Sequence, residues 1–430
     1  MSVTTRPFGR GVAPLLMMLF WNSTVGAESP PPTVPLTLEA ALSTARQSSP
    51  LARAARLSIG EAAGSLTGAS VLLVDNPDLA GSAGPRTSGL ADEIRTTDFE
   101  IGVGQRFEIG GQRGHRIERA KAQLEAAKAS ADDVQRVIDL AVARMFYATL
   151  AAEARLDLLD QNEQLAGELH DVARRRLDAG EGTPLELNTA GIRFAEARRR
   201  TMAARIRLQA GTVRLAELLG LPPATRLDPQ GDLPRDEGAP QAEELLSRAL
   251  QSRPDLTGAT RTVEAAAAAI GLADAEAWPD PALGLSYSTE EGDRIWRVGV
   301  SVPVPFFNRN QGERERARAT RSRLMAEREA LRLAIESELL QALLVYDQAR
   351  SALQLYDAEV LKAQSESVEL LRLGLEAGEV GIPDVIVVQR EVIEGREGYL
   401  DVRLALAHAR AAALAAASLP QTATLQGEKP

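Results

Sequence analysis

The sequence predicts a mainly α-helical chain that carries a membrane β-barrel, built as two tandem repeats, each of long coiled-coil helices plus two strands. Three observations predict it. A turn-forming stretch occurs twice, RRLDAGEGTP (Arg175 to Pro184) and GLEAGEVGIP (Gly374 to Pro383), roughly two hundred residues apart, the mark of an internal repeat. The long stretches before these turns keep apolar residues at alternating three- and four-residue spacing, the pattern of a coiled-coil seam. Shorter stretches further upstream alternate apolar residues with polar ones or glycine, the period of a strand with two unlike faces. The composition agrees, since 44% hydrophobic residues with only 4% aromatics suits helices packed closely through small side chains.

The elements follow in order. Residues 1–27 read as a secretory signal peptide: Arg6 and Arg10, an apolar run from Val12 to Trp21, then Val25, Gly26 and Ala27. That run is too short to span a bilayer as a helix, and no later stretch is long enough. Cysteine is absent, so the exported chain depends on packing rather than disulfides and has no N-terminal Cys to acylate. The chain carries a formal charge of −10, more negative still without the leader's arginines, which argues against nucleic acid as a partner.

The first repeat, residues 28–221, holds a helix, strands at about 70–83 and 98–107, and a helical hairpin turning at about 178–184. In DFEIGVGQRF, Phe99, Ile101 and Val103 take one face while Glu100, Gly102 and Gly104 take the other. The seam runs Ile117, Ala120, Leu124, Ala127, Ala131, Val134, Ile138, Ala141, Met145, Ala148 and Ala152. No proline separates Pro85 from Pro184, so one helix there reaches on the order of 100 Å. A Pro-rich linker, 222–241, precedes the second repeat at 242–420, with strands at about 282–288 and 295–304 and a turn at about 376–384. Its seam includes Leu339, Ala342, Tyr346, Ala349 and Leu353. Residues 421–430 read as a flexible tail.

The strands fit two readings. In one they are half-buried in a soluble sheet and the chain is a soluble periplasmic coiled-coil scaffold. In the other they are barrel strands, with Phe99, Ile101, Val103, Leu283, Leu285, Tyr287, Trp296, Val298, Val300 and Val302 facing lipid. Export, the duplicated strand pair and helices too long for a compact domain favour the barrel. Four strands leave open edges, which lipid does not tolerate, so copies must assemble; three copies give about twelve strands.

On the twofold repeat, on strand pairs running into GGQRGHRIERAKA and FFNRNQGERERARA, and on the two turns, the chain resembles the TolC-like outer-membrane efflux proteins, or outer membrane factors. The resemblance implies a homotrimer closing a 12-stranded barrel in outer-membrane lipid, continued into the periplasm by an α-helical barrel. It implies a passive exit duct, without cofactor, served by a periplasmic adaptor (membrane fusion) protein and a proton-driven inner-membrane pump. PVPFFNRNQGERERA leans toward the heavy-metal cation efflux branch. The same fold also serves type I protein secretion. In this family the adaptor docks at the hairpin turns, here Arg176, Leu177 and Gly180 in the first, and Leu375, Gly378, Val380, Gly381 and Ile382 in the second. Asp178 stands where the family commonly has Ser, and Ile382 where it has Leu, which bears on the adaptor's identity. The glycines and prolines there also simply end one helix and start the next. Asp384 falls where the family places an acidic ring at a narrow periplasmic aperture, and it also suits a helix N-cap.

No catalytic arrangement is present. His115, His170 and His408 lack metal-ligand spacing and read as surface residues of helices, and Gly110 to Gly114 lacks the Lys-Ser/Thr of a phosphate loop. Arg106, Arg113, Arg116 and Arg119, with Arg309, Arg314, Arg316 and Arg318, fit either lipid phosphates or a solvated helix face.

Overall fold

The computed structural model describes residues 34–87, 95–290, 292–356 and 379–426, together with residues 362, 363, 366, 367, 370, 371, 373, 374 and 377. The expected signal peptide, and Leu375 and Gly378 of the second turn, lie outside the described residues.

The chain opens with β1 (Val34–Leu36), then α1 (Leu38–Ser48) and α2 (Pro50–Ala69). The single opening helix expected in this half is therefore two. Pro50 has no N–H to continue a helix and pushes Ser49 to ψ 126°, out of the helical region. The second half breaks in the same way: α5 (Ala242–Ser252) gives way to α6 (Pro254–Ala275) at Pro254, with Arg253 at ψ 124°. Strands β2 (Asp78–Thr87) and β3 (Arg95–Arg106) lead into α3 (Gln112–Asp178), and β5 (Ala282–Glu290) and β6 (Asp293–Ser301) into α7 (Gln311–Gln354). Helix α3 has 67 residues, about 100 Å at 1.5 Å per residue. It turns back as α4 (Pro184–Leu219); in the second half the returning helix is α8 (Ile382–Ala416).

The four longer strands form one antiparallel sheet in the order β2-β3-β5-β6. The first strand begins at Asp78, eight residues later than its expected start: residues 70–77 carry a continuous apolar run, Val71 to Val74, rather than an alternating one, and Pro77 has no ladder donor. Strand β6 ends at Ser301, because Pro303 cannot donate either, so Val302 lies beyond the sheet.

A second, two-stranded parallel sheet pairs β1 with β4 (Leu227–Pro229), inside the expected linker. That segment is stitched down. Leu227 and Leu233 are buried beside Val142, Phe146 and Leu215, and Glu237 accepts from buried Arg410 at 2.8 Å. The expected flexible tail is also packed as far as residue 426: Leu425 is buried with Leu339, Tyr346 and Leu414, and Gln421 donates to the carbonyl of Ala411 at 3.1 Å. Buried apolar surface and satisfied backbone hold both segments, which composition alone does not reveal.

Along α3 the expected seam is buried at Ala120, Ala131 and Ile138, but between Ile138 and Ala151 burial spreads off it to Val142, Phe146 and Leu150. There α1, α4, α8 and β4 all pack on α3. In α7 the seam holds at Leu339, Tyr346 and Ala349.

Candidate functional site

Register places the sheet's apolar side chains on one face. Leu79, Val103, Leu285 and Val298 stand in one row; Gly81, Ile101, Tyr287 and Trp296 form the next; Leu283 opposes Val300, and Phe99 opposes Thr289. Directly paired residues point to the same side of a sheet, so nine of the ten residues expected on the apolar face share it; Val302, past the end of β6, is the exception. No described residue covers this face: Val298 is 80% exposed. Phe99, Tyr287 and Trp296 gather toward the turn end, with ring centroids 5.9 Å and 5.0 Å apart along the series. The other face carries Gly102, Gly104, Gly284 and Gly299 near the helices, and pairs Arg297 with Glu290 at 2.5 Å near the turns. Leu79 also belongs to the apolar face; the repeat carries the signal for it, since NPDLAG (Asn76 to Gly81) parallels DPALGL (Asp280 to Leu285) and Leu79 falls on Leu283.

The two hairpin turns are made alike. The carbonyl of Arg176 accepts from the amides of Glu181 and Gly182 at 2.8 and 3.0 Å, and that of Gly374 from those of Glu379 and Val380 at 2.9 and 3.3 Å. In the first, Gly180 takes φ +79°, the left-handed conformation that ends a helix. Thr183 and Glu186 then close a reciprocal capping box ahead of Pro184. In the second, Gly381 caps α8, Pro383 follows at the second helical position and Asp384 at the third. Asp384 is thus not the N-cap; its exposed carboxylate sits in the first turn, where the helix dipole favours negative charge.

The expected docking residues divide. Gly180 is exposed, and Arg176, Leu177, Val380 and Gly381 are half-buried. Ile382 is 1% exposed: it packs with Leu169, Ala173 and Ala190 of the first hairpin, so it fixes one turn against the other instead of presenting itself outward. Further along, a polar layer crosses the helices. Gln389 donates to Asn162 at 2.9 Å, and Glu397 draws in Arg155 and Arg200, beside a small cavity of ≈ 70 Å³.

Several expected surface groups are committed internally. Arg113 and Arg116 donate to the carbonyls of Ser70 and Ala69, Arg314 binds Asp274, and Arg106 lies 3.5 Å from Asp75, so these arginines brace the strand-to-helix junction. His408 is half-buried, with Nε2 3.0 Å from the carbonyl of Arg144, and burial holds its pKa below the ordinary value. Burial alone would raise the Asp255 carboxyl; the Arg253 guanidinium on both its oxygens outweighs that and holds it below the usual range. Among the described residues no group of acidic or histidine side chains is arranged to hold a metal, and no helix is long and apolar enough to cross a membrane.

The molecule thus joins an exposed apolar sheet to long helices, α3 alone reaching ~100 Å, and to a pair of matched turns. A family model described as outer membrane efflux protein matches residues 41–221 and 245–418. The chain belongs to the outer membrane efflux protein family. This efflux protein is 28% identical over 370 residues, 86% of each chain, to the cobalt-zinc-cadmium resistance protein CzcC of Cupriavidus metallidurans. Its fold is similar to that of the outer-membrane channel OprN (TM-score 0.73, 18% identity, 88% of this chain and 89% of that one). It is equally similar to the outer membrane protein VceC of Vibrio cholerae (TM-score 0.73, 17% identity, 88% and 95%). At those identities the likeness is one of fold. Family membership makes the chain an outer-membrane exit duct of an efflux system, and not an enzyme.

Proposed function

We propose that three copies of this efflux protein close a twelve-stranded barrel in the outer membrane, and that their helices continue it as a duct through which metal cations leave the cell. The observation that carries this reading is the sheet: one face of exposed apolar side chains, one face of glycine, serine and paired charges, and two open edges. Unpaired strand edges are not stable in lipid, so the edges of β2 and β6 require partners, and a four-stranded unit reaches a closed even-stranded barrel by self-assembly. The cation preference rests on the likeness to CzcC, a cobalt-zinc-cadmium resistance protein. The two halves act as tandem repeats, residues 28–221 and 242–420, which the like order of elements supports.

An adaptor docks on the hairpin turns, chiefly at Arg176, Leu177 and Gly180 with Val380 and Gly381, while Ile382 locks the turns together from beneath. An inner-membrane pump supplies the free energy. The test is complementation: in cells lacking the protein, tolerance of cobalt, zinc and cadmium returns with the wild-type chain. Arg176→Glu with Gly381→Phe leaves the amount of outer-membrane trimer unchanged and abolishes the rescue. Rescue by the double variant overturns docking at the turns, and loss of the trimer assigns them to folding.

A further inference from the structure

Two features near the base of the sheet expose apolar side chains that have no cover among the described residues. One is the segment before β2, where Val71, Leu72, Leu73 and Val74 are all exposed. Its backbone is fixed all the same: Arg113 donates to the carbonyl of Ser70 at 2.9 Å and Gln105 to that of Asp75 at 3.0 Å. The other is the aromatic and proline side of a cleft of ≈ 680 Å³ after β6, where Trp278, Pro303, Phe306 and Phe307 stand beside the polar Arg106, Asp280 and Asn308. Phe307 is 95% exposed, yet its loop is pinned, with Gln311 donating to the carbonyl of Phe307 at 3.2 Å and Asn310 to that of Ala273 at 2.9 Å. Rigid, exposed apolar surfaces of this kind mark interfaces.

Topology says what covers them. Strands β2 and β6 are the two edges of the sheet, three strand spacings or about 14 Å apart; the segment precedes β2, and the outer wall of the cleft, Pro303 to Phe307, follows β6, while its inner wall reaches Arg106 of β3, which lies 3.5 Å from Asp75. The segment leads into β2 through Asp75, Asn76 and Pro77, and the cleft loop follows directly on the last residue of β6. All neighbouring strands are antiparallel, and β2 and β6 also run in opposite directions. When the β6 edge of one copy pairs with the β2 edge of the next, the base of each lies beside the base of the other.

We propose that Val71–Val74 of one copy seat in the Trp278–Phe307 cleft of its neighbour, an apolar lock beneath each seam of the barrel. The proposal rests on the trimeric reading above. Aliphatic side chains on the aromatic rings of Trp278, Phe306 and Phe307 bury large areas, and the prolines in the cleft have no N–H to strand. The lock occupies the point where a strand seam passes into packed helices and backbone pairing between copies stops.

The natural absence of cysteine makes the test direct. Leu72→Cys and Phe307→Cys are introduced together and singly, with Val74→Cys and Trp278→Cys as a second pair, and trimers are purified from outer membranes in mild detergent. Oxidation is expected to yield covalent dimers and trimers from each double variant and from neither single one. Trimers of correct mass by light scattering in which neither pair cross-links overturn the lock but leave the barrel standing. A monomeric particle overturns the assembly on which it rests. Quenching of a fluorophore on Phe307→Cys by brominated phospholipid in proteoliposomes assigns the cleft to lipid, and equally overturns the lock.

Discussion

Arg253 is 3% exposed, and its guanidinium meets Asp255 at 2.7 Å, Glu338 at 2.6 Å and the carbonyl of Ala416 at 3.4 Å. A charge taken out of water is tolerable only while its donors are matched, so the three acceptors explain how an arginine occupies the break between α5 and α6. Removing one partner leaves the charge and keeps the burial. Asp255→Ala is expected to lower the unfolding free energy by about 3–5 kcal/mol, read from thermal or denaturant melts in detergent. Arg253→Met, which removes the charge itself, costs less. The pair also has a pH signature. The folded-state pKa of Asp255 lies below its unfolded value of about 3.9, so its contribution is complete above that pH and is lost as the pH falls through the folded value. Asp255→Ala lacks this acid-dependent loss.

The turns show the same economy at the level of elements. Helix α4 starts on a capping box, and Thr183→Ala is expected to weaken its first turn by about 1 kcal/mol, seen as faster amide exchange at Leu185 to Leu187. How legible such elements are depends on where their partners lie. The strand faces could be read because parity along ten residues is a local property, and register across β2, β3, β5 and β6 preserves it. The turns could be read because Gly180 and Pro184 have backbone preferences of their own. That Ile382 is covered could not be read, since what covers it, Leu169, Ala173 and Ala190, belongs to the other hairpin. The pairing of β1 with β4 was hidden for the same reason: three residues each carry no period, and the partner lies far along the chain. The seam faded near Phe146 once four elements surrounded α3, because periodicity reports one buried face only.

For the whole molecule, Asp384 offers the sharpest test of the duct. Its carboxylate is exposed at the head of α8, and in a trimer three of them would face one another across the narrow end, binding divalent cations and impeding flow. Asp384→Ala is expected to raise passive conductance in planar bilayers, or to lower block by divalent cations, several-fold; an unchanged channel removes Asp384 from the aperture. The stitched linker and C-terminal segment bear on how the molecule is made. A chain threaded through an export pore delivers Val34 long before its partner Leu227, and Ala407 and Ala411, which complete the first half's core, later still. The first half thus waits with an unfinished core until α8 arrives, so a chain cut short before α8 cannot complete its packing. Completeness of synthesis is thereby checked by the fold itself, and truncated products remain open to proteolysis before they can reach the membrane.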